Sequence, residues 1–215
     1  MGEDPDTVHV VGSPELDLHA KDSTVALEEV LSRYQINTDD YGIAVFHPVT
    51  SETDTMGRQA EAFFDVLTES QKYFVVILPN NDPGSESIFE IIRSLRTDRF
   101  RVLPSMRFSY FSQLLKSARA ILGNSSVGVR EAPFLGVPSL NFGSRQRNRG
   151  HAKSITHADL SSLINVEKFL EEEWGRRYEK SGDFGDGQAV ARFLELIKGA
   201  EFWRAPLQKY FIDAK

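Results

Sequence analysis

Residues 120–149 read AILGNSSVGVREAPFLGVPSLNFGSRQRNR. Ala120-Ile121-Leu122 is an apolar run of the kind that forms a short buried strand, and Gly123-Asn124-Ser125-Ser126 breaks it with small and polar residues. Gly128 to Leu135 has helical spacing, with Val129, Ala132 and Phe134-Leu135 able to share an apolar side. Gly136-Val137-Pro138 ends that helix, and Ser139-Leu140-Asn141-Phe142 begins another strand. Strand, small-residue turn, helix, strand is a βαβ unit. Its turn lies at the carboxyl end of a parallel strand and feeds a helix N-terminus, where unpaired N–H groups and the positive end of the helix dipole receive anions. Ser125 and Ser126 are small enough to let a phosphate approach the backbone, and they add hydroxyl donors.

Charge points the same way. The 215-residue chain carries a formal net charge of −6, yet between Phe100 and Gly150 the single acidic residue is Glu131. The same stretch holds Arg101, Arg107, Lys116, Arg119, Arg130, Arg145, Arg147 and Arg149. A basic zone in an acidic protein suggests an anionic ligand; on charge alone, scattered solvated arginines would serve as well.

Composition excludes several classes. There is no cysteine, so disulfides, thiolate metal sites and cysteine nucleophiles are ruled out, in keeping with a cytoplasmic setting. No apolar run approaches the roughly 20 residues that span a bilayer, and the acidic start MGEDPDTVHVV lacks the layout of a signal peptide, so no membrane partner is expected. The acidic balance also argues against nucleic acid.

Outside residues 120–149, Thr7 to Val11, Ile43 to Phe46, Tyr73 to Leu78 and Phe100 to Leu103 read as buried strands. Helical patterns fill Ser23 to Leu31, Thr55 to Leu67, Ser85 to Leu95 and Phe108 to Ala118, with Ser23 able to cap the first. Beyond Arg149 the expectation is a short strand about Ile155, a helix from Val166 to Tyr178 capped by Asn165, a loop over Ser181 to Gly187, and helices at Val190 to Ile197 and Phe202 to Ile212. Buried strands alternating with amphipathic helices make an α/β fold: a parallel, Rossmann-like sheet with helices on both faces. Ligands bind such sheets at the carboxyl ends of strands. Four polar clusters are expected there: Gly12-Ser13, His47 to Glu52, Asn80 to Ser85 and Asn124 to Glu131.

The segments GIAVFHPVTSE, ILPNNDPGSESI, GNSSVGVREAPFLGVPSLNFGSRQRNR and SGDFGDGQA, in this order, resemble the C-terminal half of UDP-N-acetylglucosamine 2-epimerases, most of all the hydrolysing kind that opens sialic acid biosynthesis. The resemblance runs from about Val8 onward. It implies the second half of a glycosyltransferase-B fold, without the N-terminal domain that carries the family's catalytic carboxylates. The expected organisation is a disordered or artificial start over 1–7, a UDP-binding domain over 8–200, and a C-terminal helix over 201–215 that packs toward the missing domain.

The resemblance also implies roles. Ser125 and Ser126 would hold the diphosphate of UDP or UDP-N-acetylglucosamine, and Glu131 would accept from the ribose hydroxyls. The backbone from Met106 to Phe108 would meet uracil, and His47 would reach the diphosphate and reacting sugar. Asn80 would line the cleft, and Arg145, Gln146 and Arg149 would neighbour the sugar or the interdomain cleft. Asn148 stands where the family pattern usually has glycine. In the family, the sugar's C2 proton is removed and UDP is eliminated; hydrolysing members then add water. The resemblance implies that this half supplies only stabilisation of the departing diphosphate, and so binds nucleotide without turnover.

From the residues alone, His47-Pro48 also reads as a capped turn, Asn80 to Gly84 as a turn with a helix cap, and Glu131 as a helix-surface acid. Asp183 and Asp186 lack the spacing of an EF-hand loop, so neither a metal nor a cofactor is assigned. Two further readings stay open: the C-terminal domain of a glycosyltransferase, and a non-catalytic dimerising module. Apolar surface left by the absent domain would favour self-association into a homo-oligomer.

Overall fold

The structure, a computed structural model, describes residues 4–21, 24–95, 98–205 and 208. Its sheet has six parallel strands: β1 (Tyr41–Val45), β2 (Tyr73–Ile77), β3 (Phe100–Leu103), β4 (Ile121–Gly123), β5 (Ser139–Phe142) and β6 (Ile155–Ala158). The order is β3-β2-β1-β4-β5-β6. The chain builds outward from β1 to β3, returns to place β4 on the other side of β1, and builds outward again. The change of direction leaves a crevice between the carboxyl ends of β1 and β4.

The helices are α1 (Pro14–Ala20), α2 (Leu27–Tyr34), α3 (Met56–Glu69), α4 (Ser85–Ser94), α5 (Phe108–Ser117), α6 (Val127–Phe134), α7 (Leu163–Glu172) and α8 (Ala189–Lys198). Strand alternation sorts the core into two layers. Ala44, Phe46, Phe74, Val76, Leu122, Leu140 and Phe142 face α3, α4 and α7, whereas Ile43, Val45, Val75 and Ile121 face α2, α5 and α6. In the first layer Phe63 of α3 stacks on Phe46, with ring centroids 5.2 Å apart, and meets Phe142 at 5.3 Å. Burying such aromatic side chains contributes on the order of 2 kcal/mol each, so the two layers fix the sheet that positions the crevice.

The chain groups into two compact units, one of residues 22–183 and one of residues 1–21 with 184–215. The second is built from α1, α8 and their flanking segments. The buried Asp17 carboxylate caps α8 twice, accepting from the amides of Ala189 and Val190 at 2.8 Å each, and the Ser13 amide donates to the Phe184 carbonyl at 2.8 Å.

Several expectations need correction. Thr7 to Val11 forms no strand: Val8 and Val10 are exposed, and Pro5–Thr7 is a 3-10 turn. Gly12-Ser13 therefore follows no strand end. Pro14 occupies the first turn of α1, where its missing N–H costs nothing. Asn165 lies inside α7, whose cap position is Ser162, and α7 ends at Glu172 rather than at Tyr178. Of the expected last helix, Phe202–Arg204 is a single 3-10 turn; the remainder, Ala205 and Gln208 apart, falls outside the described residues, as does Ser23. No helix among the described residues is long and apolar enough to cross a membrane.

Candidate functional site

The crevice is organised by Asn124, the first residue after β4. Its amide N–H donates to the Val45 carbonyl at 3.1 Å, closing the end of β4 onto β1. Its side chain then pairs with the backbone of His47, accepting from the His47 N–H at 2.6 Å and donating to the His47 carbonyl at 2.7 Å. The carbonyl of Asn124 receives the Arg145 guanidinium at 3.1 Å and the Gln146 side-chain amide at 3.2 Å. Arg149 joins through Gln146 Oε1 at 3.2 Å. Asn124 is 2% exposed, so its own side of these bonds is shielded from competing water. Residues 77 positions apart in sequence are thereby held in one frame.

Gly123 makes the close approach possible. It has φ of +127°, and a Cβ at this position would stand 2.0 Å from the Val45 carbonyl oxygen. Only glycine combines that backbone angle with that contact.

Ser125 and Ser126 follow, half-buried, and lead into α6. Their carbonyls are used by the helix, accepting from Gly128, Val129 and Arg130 at 3.0–3.1 Å. Their own N–H groups have no acceptor among the described residues, and no side chain caps α6. The Ser125 hydroxyl makes only a long contact with the Val127 N–H, 3.4 Å. The result is a pair of amides and two hydroxyls at the positive end of a helix, an arrangement suited to an anion. Glu131 is buried one turn and more further along α6.

The surroundings of His47 favour its neutral ring. Burial lowers its pKa, and the nearby Arg145 charge adds to the effect. The Asn80 backbone N–H points to Nδ1 at 3.4 Å, which leaves Nε2 to carry the proton of the neutral ring. Burial also lowers the Arg145 pKa, opposed by the Asp82 carboxylate, which itself accepts from the Asn80 side chain.

Beside these polar groups a cavity of about 400 Å³ opens at the ends of β1, β2 and β3. His47, Asn80 and Ser125 form its polar rim, and Ile77, Leu78, Met106, Phe111 and Val127 its apolar wall. The structure thus brings together His47, Asn80, Met106 and Ser125 in one cavity, and ties Arg145, Gln146 and Arg149 to the same strand end through Asn124. Phe108 is exposed at the start of α5, outside the cavity wall. Asn148 adopts φ of +62°, a left-handed conformation that asparagine tolerates better than most residues. Asn124 and Glu52 fall within polar clusters expected at the strand ends, but sequence reasoning gave neither an individual role, and it gave Phe111 none. For Asn124, the signal available was an amide side chain directly after the glycine that ends a buried strand.

These features define a class: a Rossmann-like parallel α/β unit with an anion-receptive crevice at its topological switch point. Comparison with known proteins narrows it. A sequence profile described as UDP-N-acetylglucosamine 2-epimerase matches residues 1–198, and the chain belongs to that family. It is 41% identical to the UDP-N-acetylglucosamine 2-epimerase of Neisseria meningitidis serogroup B, across 99% of this chain and 57% of that protein. It is 26% identical to the UDP-N,N'-diacetylbacillosamine 2-epimerase (hydrolyzing) of Legionella pneumophila, across 92% of this chain and 53% of that one. The UDP co-structure of S. aureus MnaA superposes with a TM-score of 0.69 at 20% identity, covering 99% of this chain and 58% of the other. The chain spans little more than half the length of the relatives it matches.

Proposed function

We propose that this chain is the UDP-binding half of a UDP-N-acetylglucosamine 2-epimerase, and that it holds the nucleotide and stabilises it as a leaving group. The diphosphate takes the amides and hydroxyls of Ser125 and Ser126, with Arg145 supplying positive charge. Glu131 accepts from the ribose hydroxyls, and uracil enters the apolar cavity along the backbone at Met106. The observation that carries this reading is the pair of unpartnered amides at the head of α6, set beside an arginine anchored on the preceding residue. Departure of UDP places negative charge where those donors converge, and donors fixed in advance stabilise it without reorganisation.

The base that removes the sugar's C2 proton belongs, on this reading, to a further domain outside these 215 residues. The unit built from α1 and α8 is where that domain would pack: Val10, Phe193 and Trp203 expose large apolar side chains there. The hydrolysing variant of the chemistry is supported by the name of the Legionella relative. Calorimetry of the purified chain with UDP should show saturable binding, while a coupled assay for N-acetylmannosamine should show none released. Absence of UDP binding would overturn the nucleotide reading, and release of the sugar would overturn the division of labour.

A further inference from the structure

Glu52 lies at the end of the loop that follows β1 and carries His47. It is fixed on its own side by a turn, its N–H donating to the Val49 carbonyl at 2.9 Å, and its carbonyl accepts from the Thr55 N–H and hydroxyl at 3.0 Å each. Its carboxylate faces the other way. Oε1 accepts from the hydroxyl of Ser144, and Oε2 accepts from the side-chain amide of Gln59 at 2.9 Å. Gln59 is buried on α3 and bonds Thr55 Oγ1 at 3.0 Å as well. Ser144 immediately precedes Arg145 in the loop after β5.

β1 and β5 are not neighbours, because β4 lies between them. Asn124 ties β4 to the β1 loop through its side chain, and to the β5 loop through its carbonyl. The Glu52–Ser144 bond spans the end of β4 and closes these ties into a ring. We infer that Glu52 is a positioning residue: its carboxylate clasps the β5 loop to the β1 loop and so fixes the base from which Arg145 reaches the phosphate end of the crevice. The inference rests on the nucleotide reading above. The bonds from Ser144 and Gln59 hold the Glu52 carboxyl below its ordinary pKa, with Arg147 contributing, so the clasp is an ionised acceptor with charge-assisted bonds near neutral pH. A neutral side chain would hold the loop less firmly.

The test compares UDP with uridine, which lacks the phosphates. Glu52→Ala and Ser144→Ala should each weaken UDP binding by about tenfold and leave uridine binding within about twofold, because the clasp acts only through the phosphate-binding arm. Glu52→Gln, which keeps an acceptor for Ser144 without the charge, should fall between wild type and Glu52→Ala. The double variant should be no worse than either single one, as for two partners of one bond. UDP affinity within about twofold of wild type in both alanine variants, or an equal loss for uridine, would overturn the clasp. If Glu52→Ala does not fold, Ser144→Ala decides by the same criterion. If the wild-type chain binds no UDP, the functional reading falls by itself. The clasp is then judged by hydrogen exchange of residues 144–149: faster exchange in Ser144→Ala supports it, and unchanged protection overturns it.

Discussion

The crevice has two halves that are built on different principles. Around the end of β4, Asn124, His47, Arg145 and Gln146 are joined by hydrogen bonds of 2.6–3.2 Å into a frame with little room to adjust. On the β2 and β3 side, Ile77, Leu78, Met106 and Phe111 form a wall without directional bonds. A frame of fixed donors rewards one placement of charge and penalises others, because any donor left unmet in a buried site is costly. An apolar wall rewards contact area and accepts a flat ring in more than one pose. On the nucleotide reading, affinity for the diphosphate would depend on geometry set by remote contacts, whereas affinity for the base would depend on side chains that touch it.

The most damaging way to break the polar half is through Gly123. Alanine there must either abandon φ of +127° or push the Val45 carbonyl oxygen out of the 2.0 Å its Cβ would occupy. Either response separates β1 from β4 at the point where Asn124 closes them together. Backbone strain and overpacking together should cost about 4 kcal/mol, a large share of a typical domain's stability. Urea unfolding of Gly123→Ala should show that loss; a variant within about 1 kcal/mol of wild type would mean that the strand ends are not held as described.

A gentler pair of substitutions separates the halves. Arg145→Gln removes the charge while keeping a side-chain donor for the Asn124 carbonyl. It should lower UDP affinity by about 30-fold, the scale of a charge-assisted contact, and leave uridine affinity nearly unchanged. Phe111→Ala removes ring area from the apolar wall and should weaken UDP and uridine alike, by about tenfold. Calorimetry with both ligands on both variants reads the comparison directly. Equal ratios of UDP to uridine affinity in the two proteins would show that the halves do not act separately.

The unit of residues 22–183 was largely legible in the sequence, because Tyr73–Ile77, Ile121–Gly123 and their helices carry the pattern of strands buried on both faces. Apolar runs interrupted by small residues leave few alternatives there. The terminal unit was not. Pro14 signals a stop and a helix start with the same chemistry, and the carboxylate that caps α8 lies 172 residues before it, a pairing that no local pattern encodes. The site divides likewise. Ser125 and Ser126, between β4 and α6, stand in a strand-turn-helix pattern, which is a local signal. The linkages of Asn124 to His47 and of Glu52 to Ser144 are tertiary, and a single sequence contains nothing that pairs them.

The smallest effect concerns protons. Burial and Arg145 lower the pKa of His47 in the folded chain below its ordinary 6.5. Above that value both folded and unfolded chains hold a neutral ring, and His47 makes no difference to stability. As pH falls below it, the unfolded chain takes up a proton that the folded chain refuses, so stability is lost progressively down to the folded-state pKa. His47→Asn keeps an acceptor near the Asn80 N–H but cannot titrate. Its stability should therefore fall less steeply than that of wild type between pH 7 and pH 5, measured by urea unfolding at a series of pH values. His157, lowered by burial and by His151 and Arg147, titrates in both proteins and cancels in the difference. Parallel profiles would place His47 in water rather than against the Asn124 frame, and the polar half would then be looser than its hydrogen bonds imply.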